Sequence, residues 1–524
     1  MTETQKQSYH QKALHARLWD MANDLRGNME PNEFKNYILG MIFYRYLSDE
    51  TEEFVAKLLE EDDIDYKGAF SDEEYKNDLI EEMLDGLGFV VEPKYLFSEM
   101  VKMVENNNFD IEYLHSAINS LIDSTIGRPS QEAFEGLFDD MDLSSTKLGK
   151  DVSTRSKLMA KIVSAIDSIS FGVKETTIDV LGDAYEYLIG QFAANAGKKA
   201  GEFYTPTGPA ELLCRLTTIG LTDVLSAADP TCGSGSLLLR LNKHAHVRQF
   251  FGQELTSTTY NLARMNMILH GVPYQNFRIY NGDTLEDDHF GEQKYRIQVA
   301  NPPYSAKWSA DSKFNEDERF SVYGKLAPKS KADFAFLQHM IYHMDEDGRI
   351  AILLPHGVLF RGAAEEKIRK YIIEEQNYLD AVIGLPANLF FGTSIPVCIL
   401  VLKKDRGENK DNIFFIDASK EFESGKNQNR LREEDLNKIV DTYVKREDIE
   451  KYAHKASMDE IKENDFNLNI PRYVDTFEEE PEVDLDKEFE ALAECMRKSD
   501  EIDEKLDEYF EEIGLGGFKA GEMA

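Results

Sequence analysis

Between residues 175 and 420, short β-rich apolar runs alternate with amphipathic stretches: VLSAAD, QFFGQE, FRIYNGD, RIQVAN, RIAILLP, LDAVIGLP and PVCILVLKK. No other feature limits the possible folds as strongly. Neighbouring parallel strands need long crossovers, and helices supply them. The pattern therefore predicts an α/β fold, a mostly parallel sheet covered by helices. Ligands of such sheets bind beyond the carboxyl ends of the strands, so the residues that close each run carry the candidate chemistry. At 524 residues the chain is too long for one ordinary core, and two or three domains are expected.

Residues 1–170 read as an N-terminal helical domain. ALHARLWDMANDLRG and EFKNYILGMIFYRYLSDE space their apolar positions by three and four, and Asn32 is placed to cap the second helix. This region shows no catalytic pattern and suits packing or interaction. Residues 171–425 form the sheet domain. Residues 426–524 read as an acidic C-terminal helical extension for subunit contacts. There Leu485, Phe489, Leu492, Met496, Ile502, Leu506, Phe510 and Ile513 make a rough helical stripe suited to a partner helix.

Lys and Arg total 59 against 97 Asp and Glu, a net charge of −38. Binding to phosphate backbones needs basic surface, so a partner would have to supply much of it if the substrate is nucleic acid. The four cysteines, Cys214, Cys232, Cys398 and Cys495, show no CxxC spacing and read as reduced thiols of a cytoplasmic protein. The polar start MTETQKQSYHQK has no apolar signal core, and runs such as VCILVL are too short to span a bilayer.

VLSAADPTCGSGSLLLRL runs strand, glycine loop, helix. Gly233 and Gly235 permit a tight turn and close approach of a ligand to the backbone. Leu238 stands where the dinucleotide pattern needs a third glycine, and GK[ST] is absent, so neither nucleotide-phosphate motif fits. Glu254, closing QFFGQE, can accept hydrogen bonds from ribose hydroxyls. Asp283, closing RIYNGD, is placed to meet an adenine amino group. A ligand with a ribose, an adenine and a small charged tail, but no pyrophosphate, is S-adenosylmethionine. The bland alternative is a tight turn flanked by solvated acids; the ordered series of loop, acid and acid argues against it.

QVANPPYSAK ends a predicted strand on an amide and two prolines, which cannot continue a ladder. The Asn301 side-chain oxygen and the Pro302 carbonyl can both accept from one exocyclic NH2 group. That draws the nitrogen lone pair out of conjugation and toward a methyl donor. Pro302 and Pro303 fix the carbonyl direction, and Tyr304 offers a face for stacking. The site suits a planar amine and direct methyl transfer without a metal. A base in a duplex would have to be flipped out to reach it.

NPPY after DPTCGSGS resembles the amino-methyltransferases that modify adenine N6. GEFYTPTGPAELL, ahead of the glycine loop, resembles the extra cofactor motif of DNA adenine methyltransferases whose cofactor half comes first. LRGNMEPNEFKNYILGMIFYRYLSD resembles the helical domain of type I restriction-modification methylation subunits. The resemblance implies a Rossmann-like S-adenosylmethionine-dependent methyltransferase sheet. It implies cofactor contacts from Glu202, Phe203, Tyr204, Thr205, Pro206 and Thr207, from Asp229, Gly233, Ser234, Gly235 and Ser236, and from Glu254 and Asp283. Asn301, Pro302, Pro303 and Tyr304 would hold the target adenine. ANLFFGTSIPV resembles the later motif whose aromatic packs the flipped base, which points to Phe390 or Phe391. The implied partners are DNA and a specificity subunit flanked by two copies of this chain, with room for a restriction subunit.

Cys232 reads as a structural thiol, since cytosine enzymes carry a Pro-Cys pair where this chain has NPPY. His339 and His343 are four apart in HMIYH, which lacks the Glu of HExxH and a third ligand, so they read as ordinary helix residues. NPPY alone also suits an RNA adenine or protein glutamine methyltransferase. A non-catalytic assembly subunit is the rival from another class, opposed by the complete motif series.

Overall fold

The computed structural model describes residues 19, 31–62, 64–169, 180–195, 205–390, 393–425, 428–476 and 485–514. Its centre is a nine-stranded sheet: β1 (Asp223–Asp229), β2 (His246–Glu254), β3 (Phe277–Asn281), β4 (Tyr295–Ala300), β5 (Met344–Pro355), β6 (Leu379–Gly384), β7 (Val397–Lys403), β8 (Asn412–Asp417) and β9 (Ala453–Ser457). The order is β3-β2-β1-β4-β5-β7-β6-β8-β9. Strands β3, β2, β1, β4 and β5 are mutually parallel; β7 is antiparallel to β5 and β6, and β9 is antiparallel to β8. β1 and β4 are neighbours in the sheet, so the glycine loop and NPPY leave it side by side. The chain order turns back between them, which is where a ligand crevice forms.

The sheet is covered on both faces, as its near-continuous apolar strands require. Along β5, Ala351 and Leu353 join one apolar cluster, while Ile350, Ile352 and Leu354 join the other, the alternation that a pleated strand imposes. The first cluster also contains Phe34, Ile38, Leu114 and Ile162 from the N-terminal helices. Helices and sheet therefore share one core, within a compact unit spanning Met1–Asp475.

The second predicted helix is described over Pro31–Leu58, so Asn32, expected as its cap, lies within it.

The expected boundary at 425/426 falls inside this unit. Strand β9 and the helix Glu433–Lys445 continue the sheet domain, and Asp380 shows why. Its carboxylate, fully buried on β6, accepts from the Tyr443 hydroxyl at 2.6 Å and Arg446 at 3.0 Å, with Lys403 at 3.3 Å. Burial alone would raise its pKa; Lys403 and Arg446 outweigh that and hold it below the usual carboxylate range.

The second unit, Thr476–Ala524, contains the helix Leu485–Glu512. Its stripe residues Phe489, Leu492, Met496 and Ile502 are exposed. Among the described residues, no helix is long and apolar enough to cross a membrane.

Candidate active site

The glycine loop is shaped by its own backbone. Gly233 and Gly235 hold φ of +54° and +77°, which a β-carbon would strain. The Cys232 N–H donates to the Gln253 carbonyl at 3.0 Å, tying the loop to the end of β2. Behind it, Asn266 of the helix Ser257–Leu269 donates to the Ser234 carbonyl at 3.0 Å, and the hydroxyls of Ser234 and Ser236 lie 3.0 Å apart.

Glu254 is 9% exposed. One carboxylate oxygen accepts from the Gly233 N–H at 3.1 Å, the other from the Thr256 N–H at 2.9 Å. Burial raises its pKa, and those two N–H groups oppose the rise. Each oxygen keeps a lone pair for a further donor. Asp283 accepts from the N–H groups of Leu285 and Glu286 through one oxygen, at 3.0 and 3.3 Å. The Thr284 hydroxyl donates to the Pro230 carbonyl at 2.5 Å, so the loops after β1 and β3 are joined.

Asp229, expected among the cofactor ligands, closes β1. It is 1% exposed and turned inward, accepting from the Thr231 N–H at 2.9 Å and the Thr231 hydroxyl at 3.3 Å. Burial pushes its pKa up to about 7, opposed by Thr231 and aided by Glu254. It shapes the loop from within.

Beyond β4, the Asn301 side chain is held at both ends. Its Nδ2 donates to the Thr205 hydroxyl at 3.1 Å, and its Oδ1 accepts from the Tyr304 hydroxyl at 2.7 Å. Thr205, expected at the cofactor, thus also orients the amide. The Tyr304 ring meets Phe390 edge to face, with centroids 5.7 Å apart. Pro302 is buried and Pro303 half-buried, whereas Thr207 is exposed at the start of the helix Thr207–Thr218, capped by Pro206. Glu202, Phe203, Tyr204 and Phe391 lie outside the described residues.

A brace that sequence reasoning missed holds the NPPY turn from below. Asp333, 1% exposed, accepts from the Ser305 N–H at 2.7 Å and from Arg361 at 3.0 Å, and Arg361 also reaches Glu365 at 3.0 Å. Ser305 holds φ of +52°, so the turn needs that support. No local signal links Asp333 to Ser305; the fold alone brings them together.

Cys232 is buried against Gly252, and burial pushes its thiol far above the usual range, the state of an inert thiol. His339 and His343 are fully buried beside Asp288, which lies 2.9 Å from His343 Nε2. Ligating atoms of the three converge within 4.8 Å. However, Arg319 donates to His339 Nδ1 at 3.2 Å and lies 3.7 Å from Asp288. A guanidinium there competes with any cation, and the cluster packs as a polar core.

Two family signatures cover most of the chain: an HsdM N-terminal domain over residues 14–166 and an N-6 DNA methylase over residues 176–482. The chain belongs to the N-6 DNA methylase family. Its relatives narrow this to type I methylation subunits. It is 37% identical to the type I restriction enzyme MpnII methylase subunit of Mycoplasma pneumoniae, over 97% of each chain. It is 35% identical to the MjaVII methylase subunit of Methanocaldococcus jannaschii, over 69% of this chain and 64% of that one. The crystal structure of the type I restriction-modification methyltransferase subunit of Streptococcus thermophilus superposes with a TM-score of 0.83. It is 46% identical and covers 89% of this chain and all of its own. This N-6 DNA methylase thus pairs a methyltransferase sheet with the helical domain of a type I subunit.

Proposed function

We propose that this chain transfers a methyl group from S-adenosylmethionine to the N6 amine of adenine in DNA, as the modification subunit of a type I restriction-modification complex. The observation that carries the proposal is Asn301, fixed by Thr205 and Tyr304 at the end of β4, beside the glycine loop of β1.

The pocket residues fit the cofactor. Glu254 retains acceptor capacity for a ribose diol, Asp283 for an amino group, and Gly233 and Gly235, glycines at positive φ, place no β-carbons on that turn. The cofactor, when bound, supplies a methyl carbon made electrophilic by its sulfonium. Thr205 keeps the Asn301 amide from turning over, so Oδ1 stays available as an acceptor. One lone pair of Oδ1 serves Tyr304, and the other can take an adenine N6 hydrogen. Drawing on that hydrogen frees the nitrogen lone pair for in-line attack. Phe390 and Tyr304 form an aromatic corner against which an extruded base packs.

The charge of −38 calls for a partner that clamps DNA. In this reading two copies of the chain flank one specificity subunit in the cytoplasm, a restriction subunit can join them, and the exposed stripe of the Leu485–Glu512 helix serves assembly.

The test is methyl transfer from labelled S-adenosylmethionine to DNA and to RNA, by the chain alone and with its specificity subunit. Transfer to DNA adenine should appear on adding the subunit. Asn301→Ala should abolish it while cofactor affinity stays largely intact. Wild-type transfer by Asn301→Ala would overturn the amine-activation reading. Efficient site-specific transfer by the chain alone would overturn the need for a partner. Removing residues beyond 480 should impair assembly more than cofactor binding.

A further inference from the structure

We infer that residues 428–431 form a clamp that positions the aromatic wall of the adenine pocket, acting through Gln428 and Asn429. The inference rests on the proposed role of Asn301 and Tyr304. This segment is anchored by reciprocal backbone bonds between Glu423 and Arg430, at 2.9 and 3.1 Å. Its Asn429 reaches the loop after β6 twice: the backbone N–H donates to the Asn388 carbonyl at 2.8 Å and side-chain Nδ2 to the Ala387 carbonyl at 2.9 Å. Gln428 Nε2 donates to the Leu389 carbonyl. Three successive carbonyls of one loop therefore take donors from two adjacent residues.

That loop has little else to define it. Residues 385–389 belong to no helix or strand, so their backbone polar groups depend on outside partners. Asn388 holds φ of +59°, a left-handed conformation that persists in a non-glycine residue only where its surroundings fix it. The next residue is Phe390, buried, with its ring edge to face against Tyr304. The clamp thus ends one residue from the pocket wall.

The same stretch of chain braces the opposite side through Leu431. A β-carbon on Gly208 would fall 2.9 Å from the Leu431 β-carbon, so Leu431 lies directly on the first turn of the Thr207–Thr218 helix. That helix follows Thr205, the residue that receives the Asn301 amide. A cleft of about 610 Å³, lined by Thr207, Leu389, Gln428, Asn429 and Arg430 among others, runs between the two contacts. Residues 428–431 span it. Methyl transfer needs the acceptor nitrogen aligned closely with the donor, and displacements on the order of 1 Å cost about a hundredfold in rate. A wall held by three donors from two residues is a sensitive place to lose that alignment.

The experiment uses the assembled methyltransferase with its specificity subunit. Gln428→Glu and Asn429→Asp keep the shape but turn each side-chain donor into an acceptor facing a carbonyl. Each should lower kcat about tenfold, with S-adenosylmethionine affinity and the thermal midpoint close to wild type. Because the clamp acts through Phe390, Asn429→Asp added to Phe390→Ala should deepen the loss of Phe390→Ala less than about twofold. If Asn429→Asp does not fold, the same pair is made with Gln428→Glu. A kcat within twofold of wild type in both single variants, or losses that multiply in the double variant, would overturn the clamp. Asn301→Ala, run alongside, separates the two readings. Loss of transfer there with unaffected clamp variants sinks the clamp alone. Wild-type transfer there sinks the amine-activation reading, while the Asn429–Phe390 coupling still decides the clamp.

Discussion

Replacing Glu254 by Gln tests the cofactor side of the site at one functional group. The side chain is buried, and each carboxylate oxygen accepts a backbone N–H, from Gly233 at 3.1 Å and Thr256 at 2.9 Å. Glutamine keeps one acceptor oxygen and presents an NH2 group to the other N–H. The variant therefore loses one charge-assisted bond within the loop and one toward the ribose diol. A hydrogen bond to a charged group contributes about 1.5–3 kcal/mol, and 1.4 kcal/mol is a factor of ten. The ribose bond alone predicts S-adenosylmethionine binding weaker by about tenfold to a hundredfold. The loop bond predicts a separate loss of folding stability, on the order of 1–3 kcal/mol. Titration calorimetry reads the first and denaturant unfolding the second. Glu254→Ala should weaken binding at least as much, since it removes both acceptors. An affinity within twofold of wild type in a folded Glu254→Gln protein would refute the reasoning and remove Glu254 from the cofactor site.

Tyr304→Phe should lower kcat by about threefold to tenfold, the loss of one neutral hydrogen bond to Asn301, whereas Tyr304→Ala should lose far more because the stacking ring goes too; equal effects in single-turnover assays would show that the ring does not matter. Asp333→Ala should destabilise the fold by about 3 kcal/mol, because it strands the Ser305 N–H and leaves Arg361 only Glu365. It should also reduce methyl transfer beyond what the lost stability explains, and a stability change under 1 kcal/mol would count against the brace. Asp229 has a folded pKa of about 7 against roughly 3.9 for an unfolded aspartate. Its contribution is thus fully present below about pH 4 and is lost as pH rises toward 7, because the folded state holds the extra proton. Asp229→Asn can still accept the Thr231 N–H, so melting curves from pH 5 to 8 should show a flatter decline than wild type; parallel profiles would exclude Asp229 as their source.

The strands up to β7 were legible because each is an apolar run bounded by loop residues. β8 and β9 were not. NIFFID lies where charge begins to dominate, and AHKAS has too few apolar residues to read as a strand. It is a strand because it pairs with β8, an instance of context deciding what propensity does not. Residues past 425 join the sheet unit in the same way: Tyr443 and Arg446 are tied to Asp380 more than sixty residues away. At the site, Glu254, Asp283 and Asn301 stand at strand ends, where position in sequence implies position in space. Asp333, Gln428 and Asn429 act across long separations and carry no local pattern. Thr205 was legible as a cofactor-motif residue but not as the partner of Asn301. Asp229 occupies a strand end yet faces inward, a distinction that only the burial of its side chain makes.

The N-terminal helices do more than cover the sheet, and the helix Ser257–Leu269 shows how. On its outer side Thr258 and Asn261 donate to the two carboxylate oxygens of Asp140, at 2.5 and 2.8 Å. Arg264, 3% exposed, donates to the carbonyls of Glu132 and Glu135, both at 2.9 Å. On its inner side Asn266 donates to the Ser234 carbonyl, and a β-carbon on Gly235 would come within 3.4 Å of Met267. One helix of 13 residues thus grips the helical domain with one face and the cofactor loop with the other. A continuous helix does not shift one face without the other, so the position of the glycine loop is set partly by residues 132–140. The loop's own sequence explains its turn, through Gly233 and Gly235, but not its depth relative to Asn301. Residues 132–140 of the helical domain help to set that depth, which gives the helical region a physical reason to share one core with the sheet.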